Sequence, residues 1–267
     1  LSTTETVATR GLVERLKQDV VICAEGYLFE CERRGYLQAG AFVPEVVLEH
    51  PEVVTELHRE FVHAGSDVVE AFTYYGHREK LRIIGKEDLL EPLNRNALQI
   101  ARQVARETGT LLAGDLSNTN LYTGEDGSTN RAVRKIFDEQ LAWAMEAGID
   151  MVIGETFSYL GEALIAVEAM RATGLPTVIT LVIHQEPKTR DGHTPGEAAR
   201  RLEDAGADVV GINCGRGPAT MLPLLEEVVN AVSCPVAALP VPYRTTPEQP
   251  TMQSLRDPAT TIRPFPT

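Results

Sequence analysis

The chain has 267 residues, 43% of them hydrophobic and 24% charged, with a formal net charge of −13, values ordinary for a globular protein long enough to bury a large core. That acidity argues against a surface for phosphate backbones or anionic lipid, because no cluster of Lys and Arg is present to neutralise either. No run of about 18 apolar residues marks a membrane span, and Leu1-Ser2-Thr3-Thr4-Glu5 lacks the basic-then-apolar pattern of a secretory leader, so a cytoplasmic protein with a small-molecule partner is expected.

In chain order, a first strand is expected near 20–23, followed by Ala24-Glu25-Gly26-Tyr27. Val53, Leu57 and Phe61, with Val54 and His58, repeat at helical spacing. The joint Ala64-Gly65-Ser66-Asp67-Val68-Val69 then closes that helix and opens a strand over 67–72. Gly permits the left-handed residue that ends a helix, and the apolar, β-branched run after Asp reads as a strand. A looser joint, Thr108-Gly109-Thr110-Leu111-Leu112, opens a strand over 110–114. Phe137, Leu141 and Met145 mark the next helix, and Ala147-Gly148-Ile149-Asp150-Met151-Val152 opens a strand over 150–154. Thr173-Gly174-Leu175-Pro176 and Ala205-Gly206-Ala207-Asp208 open strands over 176–182 and 208–213, and a last strand falls near 235–239.

Seven β-α units with near-continuous apolar strands predict a parallel sheet covered by helices, and their number favours a (βα)8 TIM barrel over a doubly wound sheet. The G-x-G-x-x-G turn of a nucleotide-binding sheet is absent after the first strand. Residues 1–267 are read as one barrel domain whose eighth strand is missing from this chain, with a Pro/Thr-rich irregular segment over 244–267.

In such a barrel the chemistry gathers just past the C-terminal ends of the strands. Those positions carry Glu25, then Thr73, Tyr74 and Tyr75, then Asp115 and Asn118, then Glu155, His184, Asn213 and Cys214. Each also has a plain structural reading. Asp115 can cap a helix, His184 reads better as a satisfied core histidine, and Phe72, Tyr74 and Tyr75 as core aromatics. Cys23, Cys31, Cys214 and Cys234 form no C-x-x-C pair and read by default as small buried apolar residues. Glu155 stands out, because Gly154-Glu155-Thr156-Phe157 places a carboxylate directly after an apolar strand, where it needs a cationic partner.

Four colinear blocks go further: Gly26-Tyr27-Leu28-Phe29-Glu30-Cys31-Glu32-Arg33-Arg34-Gly35-Tyr36-Leu37-Gln38-Ala39-Gly40, Glu49-His50-Pro51-Glu52, Phe72-Thr73-Tyr74-Tyr75 and Gly211-Ile212-Asn213-Cys214. Together they resemble the homocysteine S-methyltransferase family, and within it the betaine-type enzymes. The resemblance implies a barrel enzyme that binds Zn²⁺ through three thiolates and moves a methyl group from an onium donor to homocysteine, giving methionine. It puts the first zinc ligand on Cys214, with two further Cys ligands expected beyond this chain. It makes Glu155 the contact for the homocysteine amino group and places Phe42 and Tyr75 in the donor pocket; Gly26 and Asn213 complete the expected substrate-binding set. Ala24-Glu25-Gly26 stands where the family carries Asp-Gly, so Glu25 is expected to supply that carboxylate from the adjacent position. Thr156 stands where the betaine enzymes carry Tyr, which leaves dimethylsulfoniopropionate, methylated amines and S-methylmethionine open as donors. A homo-oligomer is also implied. The alternatives are a barrel methyltransferase with another thiol acceptor or a corrinoid partner, and a degenerate, non-catalytic binding module.

Overall fold

The Ala-Gly-x-Asp joints do two jobs at once. Gly65, Gly148 and Gly206 take positive φ of 112°, 71° and 96° where their helices end, a conformation that a side chain would strain. The Asp of each joint then reaches across to the neighbouring strand: Asp67, Asp150 and Asp208 accept the backbone N–H of Ile22, Leu112 and Thr177 at 2.9, 2.8 and 2.9 Å. Each joint therefore also fixes where its strand starts relative to the one before.

The computed structural model describes residues 11–37, 44–124 and 127–256. Six parallel strands lie in the order β1 (Val68–Glu70), β2 (Leu111–Ser117), β3 (Met151–Phe157), β4 (Thr177–Leu181), β5 (Val209–Asn213) and β6 (Val236–Leu239). Every neighbour in sequence is also a neighbour in the sheet, the order of a barrel rather than of a doubly wound sheet. The sheet curls into half a barrel. The strand expected over 20–23 is reduced to one bridge between Cys23 and Val68, so the seven expected strands become six.

The helices are α1 (Leu12–Leu16), α2 (Tyr27–Arg33), α3 (Val46–Glu49), α4 (Pro51–His63), α5 (Arg78–Ile83), α6 (Leu90–Thr108), α7 (Asn130–Ala147), α8 (Leu160–Arg171), α9 (Pro195–Asp204) and α10 (Pro218–Ala231). No helix among the described residues is long and apolar enough to cross a membrane. Val54, Leu57 and His58 turn inward from α4, and Phe137 and Leu141 from α7. Met145, expected on the same buried stripe, is 42% exposed in the last turn of α7.

The pleat of the strands separates two layers. Leu112, Leu116, Val152, Ile179, Val210 and Ile212 face outward and pack with α6 to α10. Val68, Leu111, Ala113, Met151, Ile153, Val178 and Val209 form a second apolar layer with Leu12 of α1. Because side chains alternate with period two, Glu70, Asp115, Glu155 and Asn213 share that second, inner face, one or more pleats nearer the C-terminal ends. Within the 244–267 segment, Met252–Ser254 forms a short 3-10 turn, and 257–267 lie outside the described residues.

Candidate active site

The C-terminal ends of β1, β3 and β5 are each followed or completed by a strained residue. Tyr75, Thr156 and Cys214 have φ of 59°, 63° and 57°, a left-handed conformation that is uncommon outside Gly and costly for a β-branched residue such as Thr. Strain of this kind persists only where surrounding contacts hold it, and it concentrates at functional sites.

What holds Thr156 and Glu155 is Asn213. Its Nδ2 donates to Glu155 Oε2 and to Thr156 Oγ1, both at 2.8 Å. Its Oδ1 accepts from the Thr156 N–H at 2.9 Å and from Thr180 Oγ1 at 3.0 Å. The Asn213 amide is thus fully engaged inside the protein, and Thr156 Oγ1 adds a further bond to Glu155 Oε2 at 3.1 Å. The Glu155 carboxylate is a fixed group.

Three more carboxyl groups converge beside it. Glu25, Glu70 and Asp115 stand around Glu155, and each repels at least one of the others. Burial first, and then these neighbouring negative charges, hold the carboxyls of Glu25, Glu70 and Asp115 well above the usual carboxylate range. Burial pushes Glu155 up to about 7, against the opposing Thr156 hydrogen bond. Glu25 Oε2, Glu70 Oε1 and Asp115 Oδ1 are all buried without a hydrogen-bond partner. The Cys214 thiol is pushed up to about 12, by burial above all and then by the charges of Glu155 and Glu25. Without a cation nearby Cys214 is a neutral thiol, not a nucleophile.

Two cavities meet here. The inner one, of about 310 Å³, is lined by Glu25, Gly26, Glu70, Asp115, Glu155 and Asn213. The outer one, of about 1010 Å³, is lined by the aromatic side chains of Phe29, Tyr74, Tyr75, Tyr122 and Tyr159. Leu28, Phe29, Tyr74, Thr156 and Cys214 line both. The Tyr74 and Tyr75 ring centroids lie 4.2 Å apart with their planes tilted by 35°, and Lys80 Nζ lies 4.0 Å from the Tyr75 ring centroid.

Glu25, Gly26, Glu155, Asn213 and Cys214, expected together from the sequence, are brought together on the inner cavity. Tyr75 belongs to the outer one, and Phe42 lies outside the described residues. His184 was read as a core histidine; it instead lines the outer cavity, half-buried, with Nε2 2.8 Å from Ser158 Oγ. Asn118 donates to the Thr156 carbonyl at 2.9 Å, bracing the strained turn from a second side. Sequence reasoning passed over Glu70. Its signal was a lone carboxylate inside the apolar run Val68-Val69-Glu70-Ala71-Phe72.

The expected zinc can be tested against the donors present. A structural or catalytic zinc takes three or four protein ligands, and Cys214 is the one thiol at these strand ends. Cys23 pairs with the first residue of β1, Cys234 precedes β6, and Cys31 is buried within α2. Among the described residues the one close group of three candidate ligands is Glu70, Asp115 and Glu155, with no thiol in it. A three-thiolate zinc does not fit the residues described.

The fold and the site have counterparts among known proteins. The curled sheet aligns with the crystal structure of the homocysteine methyltransferase MmuM from Escherichia coli in its metallated form, with a TM-score of 0.66 over 88% of this chain and 95% of that one. The two are 17% identical, so the likeness speaks for the fold. In sequence the chain is 39% identical over 248 residues to betaine–homocysteine S-methyltransferase 1 of Sus scrofa, covering 89% of this chain and 88% of that sequence. It is 42% identical over 224 residues to the Rattus norvegicus protein of the same name, covering 82% of this chain. It spans 54% of that protein's length and 60% of its Mus musculus counterpart's. The sequence pattern of the homocysteine S-methyltransferase family matches residues 26–260, from the glycine that opens the inner cavity to beyond the last strand, and the chain belongs to that family.

Proposed function

We propose that this chain transfers a methyl group from an onium donor to the sulfur of homocysteine, giving methionine. The observation that carries the reading is the placement of Thr156 and Cys214 where a cavity holding four carboxyl groups, Glu25, Glu70, Asp115 and Glu155, meets a larger one walled by tyrosines. An amino acid thiol suits the acidic side, where Glu155 and Glu25 offer carboxylates to its ammonium group. A quaternary ammonium or sulfonium suits the aromatic side, where the faces of Tyr74 and Tyr75 attract a cation.

Held this way, the acceptor sulfur meets the donor methyl carbon at the junction, and positioning supplies much of the acceleration. The S–C bond forms as the donor's C–N or C–S bond breaks, and that electron pair leaves on the donor, which becomes neutral. The acceptor's thiol proton leaves to solvent through the outer cavity, since the Glu155 carboxylate is engaged by the substrate ammonium. Asn213 acts as a positioning residue, because its amide is spent on Glu155 and Thr156.

The test is methionine formation from homocysteine with glycine betaine, dimethylsulfoniopropionate and S-methylmethionine as donors, followed by mass spectrometry. Turnover with at least one donor, lost in Glu155→Gln, supports the reading. No methionine with any donor refutes it.

A further inference from the structure

The geometry points to a binding site for a hard divalent cation, made by Glu70, Asp115 and Glu155 at the floor of the inner cavity. The three residues come from adjacent strands, β1, β2 and β3, and their side chains share the inner face. One oxygen from each lies within 4.8 Å of the others. Oxygens sharing an ion at bonds of about 2.1–2.4 Å stand about 3 Å apart when cis and about 4.2–4.8 Å when trans, so rotation of the three side chains toward one another would close them on one ion.

The second observation is the orphaned oxygens. Glu70 and Asp115 are 3% and 6% exposed, and Glu70 Oε1 and Asp115 Oδ1 have no hydrogen-bond partner. Protonation does not resolve this, because a carboxylic acid O–H buried without an acceptor is as unsatisfied as the bare oxygen. Among the described residues no Lys or Arg forms an ion pair with either group. A bound cation satisfies both at once.

The remaining oxygens are held in place for it. Thr73 Oγ1 lies 3.3 Å from Asp115 Oδ2, and Asn213 and Thr156 hold Glu155 Oε2, the kind of outer support that orients metal ligands. Three carboxylate oxygens without sulfur or nitrogen select Mg²⁺, Mn²⁺ or Ca²⁺ rather than a thiolate-bound zinc. A substrate ammonium carries a single charge and is accommodated by Glu25 and Glu155, which leaves Glu70 and Asp115 still unmatched. The site shares Glu155 with the ammonium contact of the methyl-transfer reading and adds Glu70 and Asp115, which that reading leaves unused.

The experiment titrates EDTA-stripped protein with Mn²⁺, reading free ion by electron paramagnetic resonance, alongside thermal melts. One Mn²⁺ per chain with a Kd below about 100 μM, weakened at least tenfold in Glu70→Gln/Asp115→Asn and unchanged in Cys214→Ser, is the expected result. The wild-type melting point should rise with Mn²⁺, as it does for any ligand that binds the folded state alone, and this reading stands even if the double variant does not fold. Absence of binding at millimolar Mn²⁺, or equal binding by a folded double variant, overturns the site. Homocysteine binding measured calorimetrically in EDTA separates the two ideas: binding retained while Mn²⁺ fails overturns the cation site alone, and binding lost while Mn²⁺ succeeds overturns the methyl-transfer reading alone.

Discussion

Replacing Asn213 with Ala tests whether one amide organises the site. The substitution removes four hydrogen bonds, to Glu155 Oε2, the Thr156 N–H, Thr156 Oγ1 and Thr180 Oγ1. The Thr156 N–H is left buried and unpaired, at a cost of about 1–3 kcal/mol. Losing a donor to the Glu155 carboxyl adds about 1–2 kcal/mol, while the two hydroxyls can turn to other acceptors. These neighbouring losses are not independent, and a total of about 3–4 kcal/mol is expected. At about 2–4 °C per kcal/mol for a domain of this size, the melting point should fall by roughly 6–16 °C. Because Thr156 is held at φ 63° by these bonds, the same variant should also raise the KM for homocysteine more than a remote substitution of equal thermal cost does. Thermal melts and kinetics on wild type, Asn213→Ala and such a control give the answer. A loss below about 1 kcal/mol, or a KM matched by the control, would refute the argument that Asn213 holds the site together.

Three further outcomes follow from the geometry. Gly211→Ala should prevent stable folding or lower the melting point by well over 10 °C, since its Cβ would stand 2.0 Å from the Ala237 carbonyl oxygen on β6; a variant that melts like wild type would contradict the close approach of β5 and β6. His58 is buried, with Nδ1 2.9 Å from the Tyr27 hydroxyl and its pKa lowered to about 3 by burial. The unfolded chain therefore takes up a proton on His58 that the folded chain refuses, and stability falls as pH drops below about 6.5, by about 2 kcal/mol at pH 5. His58→Gln should remove that share, so the gap between variant and wild type should narrow on acidification; parallel melting curves between pH 7.5 and pH 5 would show the sign to be wrong. Cys214→Ser should move the melting point by no more than a few degrees and leave methionine formation within about tenfold of wild type, because the buried neutral thiol only lines the junction of the two cavities; a loss of about 100-fold or more would put the thiol in the chemistry.

The parts of the fold legible in the sequence are those with a local cause. Gly65, Gly109, Gly148 and Gly206 mark helix ends because left-handed backbone is a property of one residue, and the strands after them begin within a residue or so of where the apolar runs predict. The strand over 20–23 was overread: its apolar residues are there, but Val20 and Ile22 are 73% and 49% exposed, and one bridge is all that pairs. The partners of the joint aspartates were invisible for a related reason, since Asp67 meets Ile22 45 residues away. The site divides in the same way. Glu25, Glu155 and Cys214 fall just past the strands expected from the apolar runs and are readable as strand-end groups, whereas Glu70 falls inside the run expected over 67–72 and acquires meaning only once the pleat places it beside Asp115 and Glu155. Asn213 could be named from its position, but that its amide points at Glu155 and not at a ligand is a tertiary fact.

The left-handed turns at Thr156 and Cys214 bear on how much chemistry a strand can deliver. A regular strand sends every second side chain to the other face, so its end contributes one group to the cavity. Where the backbone reverses hand, that alternation is broken: Glu155 and Thr156 both reach the cavity, and so do Asn213 and Cys214. Two strand ends thereby supply four adjacent functional groups at a fixed mutual orientation. A redesign that relaxed either turn to ordinary extended backbone would rotate the second residue of the pair out of the site without changing its identity, so the specificity of this family member is written in backbone handedness as well as in side chains.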